Sequence, residues 1–481
     1  MSNHIEARPD VPHPGLPYLA QRVVEAALGM YHGSIQLPPA VLAVAARVIQ
    51  DQIGIQVGCA RLPWSTQVHE YVCRQGGVAS ATVVVHGTAT SPELAAFANA
   101  TFGHAQDFDD TTPLVQTHAG AVIVPVALAI GEQVGASGAQ VLRAVTVGLE
   151  VMLRVAHSVS PDCLRSGHHT PPAVGPFGAA IAAGLLQGLS AEELAHALAI
   201  AGSFSGGLTE YTQTGGSVKR MHTAIPTTAG IRAAALARAG MTGPVSVFEG
   251  AKGFCRVFAQ NPSPVRIVEG LGEEFLIGHM GFKAYNCCYF IHAPLEAFTD
   301  LVTGSGLTAS DIDRVYVGTS AHGLVHVGSI PEPHDEVGAQ FSIHFTVARS
   351  LFYDAPVIDS YGPAELADQR VREFARRIVV FEDDTATREY PDNWGGVVEL
   401  ITTSGERLTR RCRHPLGTPQ RPMTPDQMEA KFLANTSPVL GTEVAATVLC
   451  ILSDLEHVPT IAAVMRHLCP QPVGDLEAAS A

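Results

Sequence analysis

The chain has 481 residues, 46% of them hydrophobic and only 16% charged, with a net charge of −15. That length exceeds one compact core and predicts two domains, while the low charge excludes a disordered chain. The acidic balance excludes a general attraction for nucleic acid or an anionic membrane; an anionic small molecule would need a local cluster of Lys, Arg and His.

Nine cysteines show no regular framework and read as reduced thiols of a cytoplasmic protein. The N-terminus lacks a basic segment followed by an apolar core, so no signal peptide is expected. The run AGAVIVPVALAIG is too short to cross a bilayer and contains Pro125. Four prolines in the first eighteen residues predict an irregular arm over 1–17. Residues 18–275 read as a helical domain, with apolar positions three and four apart in LPPAVLAVAARVIQDQIGI and SGAQVLRAVTVGLEVMLRVAHSV. Ser190 and Glu193 form a capping box at the start of one helix, and Gly240 stops the next long one. The abundance of Gly and Ala predicts close helix packing. Between 276 and 418 the texture becomes mixed: DRVYVGTSA, RRIVVFEDD and GGVVELITTSGERLTRRCR are strand-like, the last with a hairpin at Ser404-Gly405, and helices lie between them. Helical texture returns over 419–470, predicting helices that pack back on the first domain, before a tail at 471–481.

Five places carry residues suited to chemistry. HAQDFDDTTPLVQTH puts Asp107, Asp109 and Asp110 between His104 and His118. Alone it reads as caps and a solvated turn. However, His118 directly precedes an apolar run, and an imidazole there can act as acid or base. His168 and His169 stand before a Gly/Ala-rich helix; adjacent histidines point apart, so at most one serves a site. GGSVKRMH brings Lys219, Arg220 and His222 to a helix start, the positive charge an anion requires, though not with P-loop spacing. KAYNCCYFIH brings Lys283, Tyr285, Cys287, Cys288 and His292 to the change of texture, where a cleft is expected. Its thiols read as packing and His292 as the candidate. Last, His104, His118 and the nearby aspartates form a candidate metal set, but with no HExxH, paired CxxC or EF-hand loop a dedicated metal is disfavoured.

Taken in order, ANATFGHAQDFDDT followed by His118, GHHTPPAVGPFGAA, GGSVKRMH, KAYNCCYFIH and HPLGTPQRPMTPDQMEAKF resemble the MmgE/PrpD family from about residue 20 to 465. The resemblance implies a mostly α fold: a large all-helical domain formed by both chain ends, plus a smaller α+β lid domain. It also implies a homodimer, no metal or organic cofactor, and a site between the domains. Carried over by motif, the site residues are Asp107, Thr111, His118, His169, Lys219, His222 and His292. Lys219, Arg220 and Lys283 are expected to hold the carboxylates of a small anionic substrate. Pro171 stands where the family often has threonine, and His168 and His344 also depart from its pattern. The implied chemistry is proton transfer at carbon next to a carboxylate. Decarboxylation of cis-aconitate to itaconate is the first expectation; the alternatives are dehydration of a 2-hydroxy tricarboxylate such as 2-methylcitrate and epimerisation of a dicarboxylate such as iminodisuccinate. A carboxylate-binding protein without activity is the non-enzyme alternative.

Overall fold

The computed structural model describes residues 18–469 apart from 215, 356 and 359. The arm expected over 1–17 and the tail over 471–481 lie outside the described residues. The chain is mostly α-helical with a small α+β region.

The buried apolar side chains form two main cores. One runs from Ala20 to Phe282 and resumes at Met423, ending at Leu468; the other runs from Cys287 to Leu400. The chain thus leaves the helical core, builds the α+β unit, and returns. The returning helix Pro425–Leu440 packs on Pro39–Cys59. Pro39–Cys59 is long and apolar enough by length and composition to cross a membrane, but much of it is buried inside the helical core.

The centre of the helical core explains the Gly/Ala composition. Helices Gly138–Val159, Thr170–Leu186 and Ala224–Arg238 pack side by side. A Cβ on Gly178 would lie 2.5 Å from the Gly148 carbonyl, and one on Gly230 would lie 2.3 Å from the Ala179 Cβ. Only glycine permits backbones this close. The capping box is formed: the Ser190 amide donates to Glu193 at 2.7 Å, and the Glu193 amide to the Ser190 hydroxyl at 3.3 Å. Gly240, at φ +91°, follows the helix that ends at Arg238.

The periodicity of the first domain gave no sign of a short hairpin, β1 (Ala81–Val83) with β2 (Thr88–Thr90). In the α+β unit, β3 (Ile312–Thr319), β4 (Ile378–Glu382), β5 (Gly396–Thr402) and β6 (Arg407–Cys412) form one sheet in the order β4-β3-β5-β6. β3 and β4 are parallel, joined through the helices between them; the other pairs are antiparallel. Gly405, at φ +87°, turns the β5–β6 hairpin. β5 alternates buried and half-buried residues, so one face lies on helix Tyr289–Ser305. The start of that helix faces the helical domain across a cavity.

Candidate active site

Three helices begin at this cavity and a fourth just behind it. His118 precedes Gly120–Val134 by two residues, His169 caps Thr170–Leu186, His222 and Thr223 lead into Ala224–Arg238, and Cys288 caps Tyr289–Ser305. Their amide ends make the region hospitable to negative charge. The close packing described above therefore has a consequence: it brings helix starts from distant sequence positions together.

The acid-rich stretch is not a solvated turn. Asp107, Asp109 and Asp110 are all buried, and each has a different partner. Asp107, held at φ +52°, receives Lys219 Nζ at 2.6 Å on one oxygen and Lys283 Nζ at 2.8 Å on the other. Burial raises the cost of its charge, but the two ammonium groups overrule this and hold the carboxyl well below its usual range. Asp107 in turn keeps Lys283 charged despite burial. Two cations thus meet one carboxylate at the cavity wall, with the ionised Asp109 close behind them.

A second chain runs behind it. Lys219 Nζ also lies 3.3 Å from His104 Nε2, and His104 Nδ1 lies 2.8 Å from Asp109. An ammonium only donates, so Nε2 accepts and the proton resides on Nδ1, donated to Asp109. Burial pushes His104 down to about 3, in keeping with a neutral ring. Asp109 stays ionised because the two neighbouring histidines outweigh its burial. Asp110 behaves oppositely: burial and the adjacent Asp109 raise it to about 8. It accepts from the Gly120 amide at 3.1 Å and so pins the helix after His118. Lys431, on the returning C-terminal helix, donates to the Phe108 carbonyl at 2.9 Å and fixes the loop from below.

Two histidines line the cavity with distinct wiring. His118 Nδ1 donates to the Asp110 carbonyl at 2.7 Å, leaving Nε2 as a lone-pair nitrogen. His169 Nδ1 lies 2.8 Å from His222 Nδ1, so the two rings share one proton. Burial lowers all three, His222 to about 4. Thr111 lines the same cavity, its backbone paired with Gly281 of the segment leading to the α+β unit.

Of the residues singled out in the sequence, Asp107, Thr111, His118, His169, Lys219 and Lys283 share one cavity, and His222 backs His169. Two do not join them. Arg220 does not line the cavity; its guanidinium stacks on the Trp64 ring at 4.1 Å. His292 lies within its helix, buried against Tyr285 and Tyr289, with Nε2 3.3 Å from the Cys287 carbonyl. From this motif Lys283, Tyr289 and Phe290 reach the cavity, together with Cys288, read from sequence as packing. The reason is helical geometry: Cys288 caps the helix at the cavity, whereas His292 sits one turn further in, buried between the Tyr285 and Tyr289 rings. His168 packs on Phe258 and is bridged to Leu208, away from the site; Pro171 is buried in the first turn of its helix, and His344 lies in the lid helix Ile343–Arg349. His104, read from sequence as a candidate metal ligand, is instead a link in the charge chain, and the wall also contains Tyr211, Gln116, Phe341 and Trp394, which were not singled out. Phe341 follows the short helix Glu336–Gln340 and Trp394 lies in the loop before β5, and nothing in the sequence around either marks it as cavity wall.

His104, Asp109 and His118 present ligand atoms within 4.8 Å of one another, a spacing that a metal ion could use. Their chemistry is already balanced: Asp109 holds the His104 proton, and Lys219 supplies the adjacent cation.

A buried carboxylate doubly paired to lysines faces imidazoles at helix starts, an arrangement whose chemistry suits acid–base work. The sequence agrees: residues 32–266 match the MmgE/PrpD N-terminal domain and residues 285–456 the MmgE/PrpD C-terminal domain. The chain belongs to the MmgE/PrpD family and is an enzyme of lyase type. It is similar to a cis-aconitate decarboxylase of Aspergillus terreus, 25% identical over 90% of this chain and 93% of that protein. It is also similar to the cis-aconitate decarboxylase-like protein oryM of Aspergillus oryzae, 27% identical over 85% of this chain and 88% of that protein. The cis-aconitate decarboxylase of Mus musculus is 25% identical over 95% of each chain.

Proposed function

We propose that this enzyme is a cofactor-independent acid–base lyase of a small di- or tricarboxylate, with decarboxylation of cis-aconitate or a close analogue to an itaconate as the favoured reaction. The observation that carries this reading is the pair of ammonium groups on Asp107, beside His118 and His169 in one cavity. The names of the relatives support the choice of decarboxylation over dehydration or epimerisation.

In this reading Lys219 and Lys283 hold the substrate's carboxylates, and Asp107 keeps the two ammonium groups together. Thr111 orients the substrate. The incoming anion reverses the electrostatic balance at His118: burial disfavours imidazolium, but a carboxylate beside Nε2 draws a proton onto it. When the carbon–carbon bond to the departing carboxylate breaks, carbon dioxide leaves and the electron pair spreads over the neighbouring double bond. The imidazolium of His118 or His169 then delivers its proton to the carbon next to a remaining carboxylate. The proton shared by His169 and His222 provides a route for reloading. A positioned acid of this kind contributes about 10²–10⁴-fold. Homodimeric assembly and a cytoplasmic setting belong to the same proposal, the first checked by light scattering of the purified chain.

The test is proton NMR of the chelator-treated protein with cis-aconitate in deuterated water. Itaconate carrying one deuterium is the expected product. Hydration of cis-aconitate would move the assignment to the dehydratase alternative, and no change would remove the decarboxylase reading.

A further inference from the structure

The two sides of the cavity differ in chemistry. The helical domain contributes nearly all of its charge and hydrogen-bonding groups. The lid contributes an aromatic surface: Tyr289, Phe290, Phe341 and Trp394, faced by Leu164 from the helical side. Phe290 and Trp394 are stacked with centroids 4.2 Å apart, and Tyr289 meets Trp394 edge-on at 5.5 Å. The apolar surface begins where the charge ends, since Lys219 Nζ lies 5.6 Å from the centre of the Phe341 ring. Leu164, Phe341 and Trp394 are only partly buried, so apolar surface remains open to the cavity.

The polar groups on the lid side are the Cys288 thiol, the Tyr289 hydroxyl and the His326 ring. None carries charge at neutral pH: burial pushes Cys288 up to about 11 and, with His322 alongside, pushes His326 down to about 4. A carboxylate directed past Phe341, at Tyr289, Phe290 and Trp394, would lose water among groups that carry no charge. A small tricarboxylate held at Lys219 and Lys283 would leave the aromatic surface wet. Ligand pockets gain affinity by covering such surface, with a few polar groups fixing orientation.

We infer that the acid accepted here carries an apolar substituent, alkyl or aryl and several carbons long, which lies on the aromatic lid wall while its carboxylates engage the lysine pair. This rests on the proposed lyase reading and adds the substrate's shape to it.

The test separates binding from turnover. The full chain is titrated calorimetrically with succinate and a series of 2-alkylsuccinates from methyl to hexyl. Affinity is expected to rise about fourfold for each buried methylene until the wall is covered. Leu164→Asp and, independently, Trp394→Ala should flatten that slope. Affinity that stays level or falls with chain length in the wild type overturns the inference, as does absence of binding by the whole series. Turnover of cis-aconitate and an alkyl-substituted cis-aconitate is then read by NMR. A chain-length slope without turnover of either acid upholds the wall's role and overturns the lyase reading. Turnover of cis-aconitate without a slope does the reverse.

Discussion

The helical wall of the cavity and the lid wall both present residues from helix starts, His118 and His169 on one side and Cys288 and Tyr289 on the other, yet they do different work. On the helical wall the carboxylates and imidazoles are paired: Asp107 with two lysines, His104 with Asp109, His118 with a carbonyl, His169 with His222. On the lid wall the surface is mainly aromatic, and the candidate imidazole, His292, has withdrawn into the core. The difference teaches that a catalytic site need not be shared evenly by its two domains. One wall fixes charge and moves protons, while the other excludes water and shapes the space.

Substitutions on the charged wall should have the largest effects. His118→Gln should lower kcat by about 10²–10⁴-fold, because the one lone-pair nitrogen aimed at acid–base work is lost. Lys219→Met should lower kcat/KM by about 10²–10³-fold, the scale of removing one preorganised charge donor. Retention of more than a tenth of wild-type activity by either, with circular dichroism unchanged, would break the contrast between the walls.

A third prediction concerns pH. Asp110 is raised to about 8 in the folded chain, whereas in the unfolded chain it ionises near 4, roughly the usual aspartate value. Between those values the unfolded state has released a proton that the folded state keeps. The stability from this group is therefore full below about pH 4 and is lost as pH rises toward 8. Asp110→Asn should flatten the profile of Tm against pH and gain on the wild type across that window. A parallel pair of profiles would contradict the assignment.

The smallest effect is expected at His292. His292→Asn removes a structural hydrogen bond worth about 1 kcal/mol and should lower Tm slightly while leaving kcat within about threefold. A collapse of kcat with the fold intact would return His292 to the site and blur the distinction between the walls.

Much of the helical wall was legible in the sequence because its residues interrupt apolar helices. Three aspartates and two histidines between LAAFANATFG and AGAVIVPVALAIG, or Lys219 and His222 before a helix, stand out against so little charge. The partnerships were not legible. That Lys283 joins Lys219 on Asp107 across 176 residues depends on how the chain leaves the helical core at Phe282, which local pattern does not record. The strands and the β5–β6 turn were readable from Val, Ile and Thr runs around Ser404-Gly405, but the β1–β2 hairpin is too short to produce alternation. The lid wall was the least legible part. Trp394 and Phe341 look like core residues, and the choice between Cys288 and His292 turns on which residue caps the helix. Arg220 shows the converse error: a cation beside Lys219 in sequence is spent on Trp64 instead.

Calorimetric titration with tricarballylate, an unreactive tricarboxylate, tests most directly whether the ammonium pair on Asp107 binds a carboxylate. Wild type should bind, and both Lys219→Met and Lys283→Met should weaken binding by about 10²-fold, as expected for loss of a buried charge-assisted contact. Equal affinity in all three proteins would contradict the account, because the lysine pair would then serve only to hold Asp107 in place.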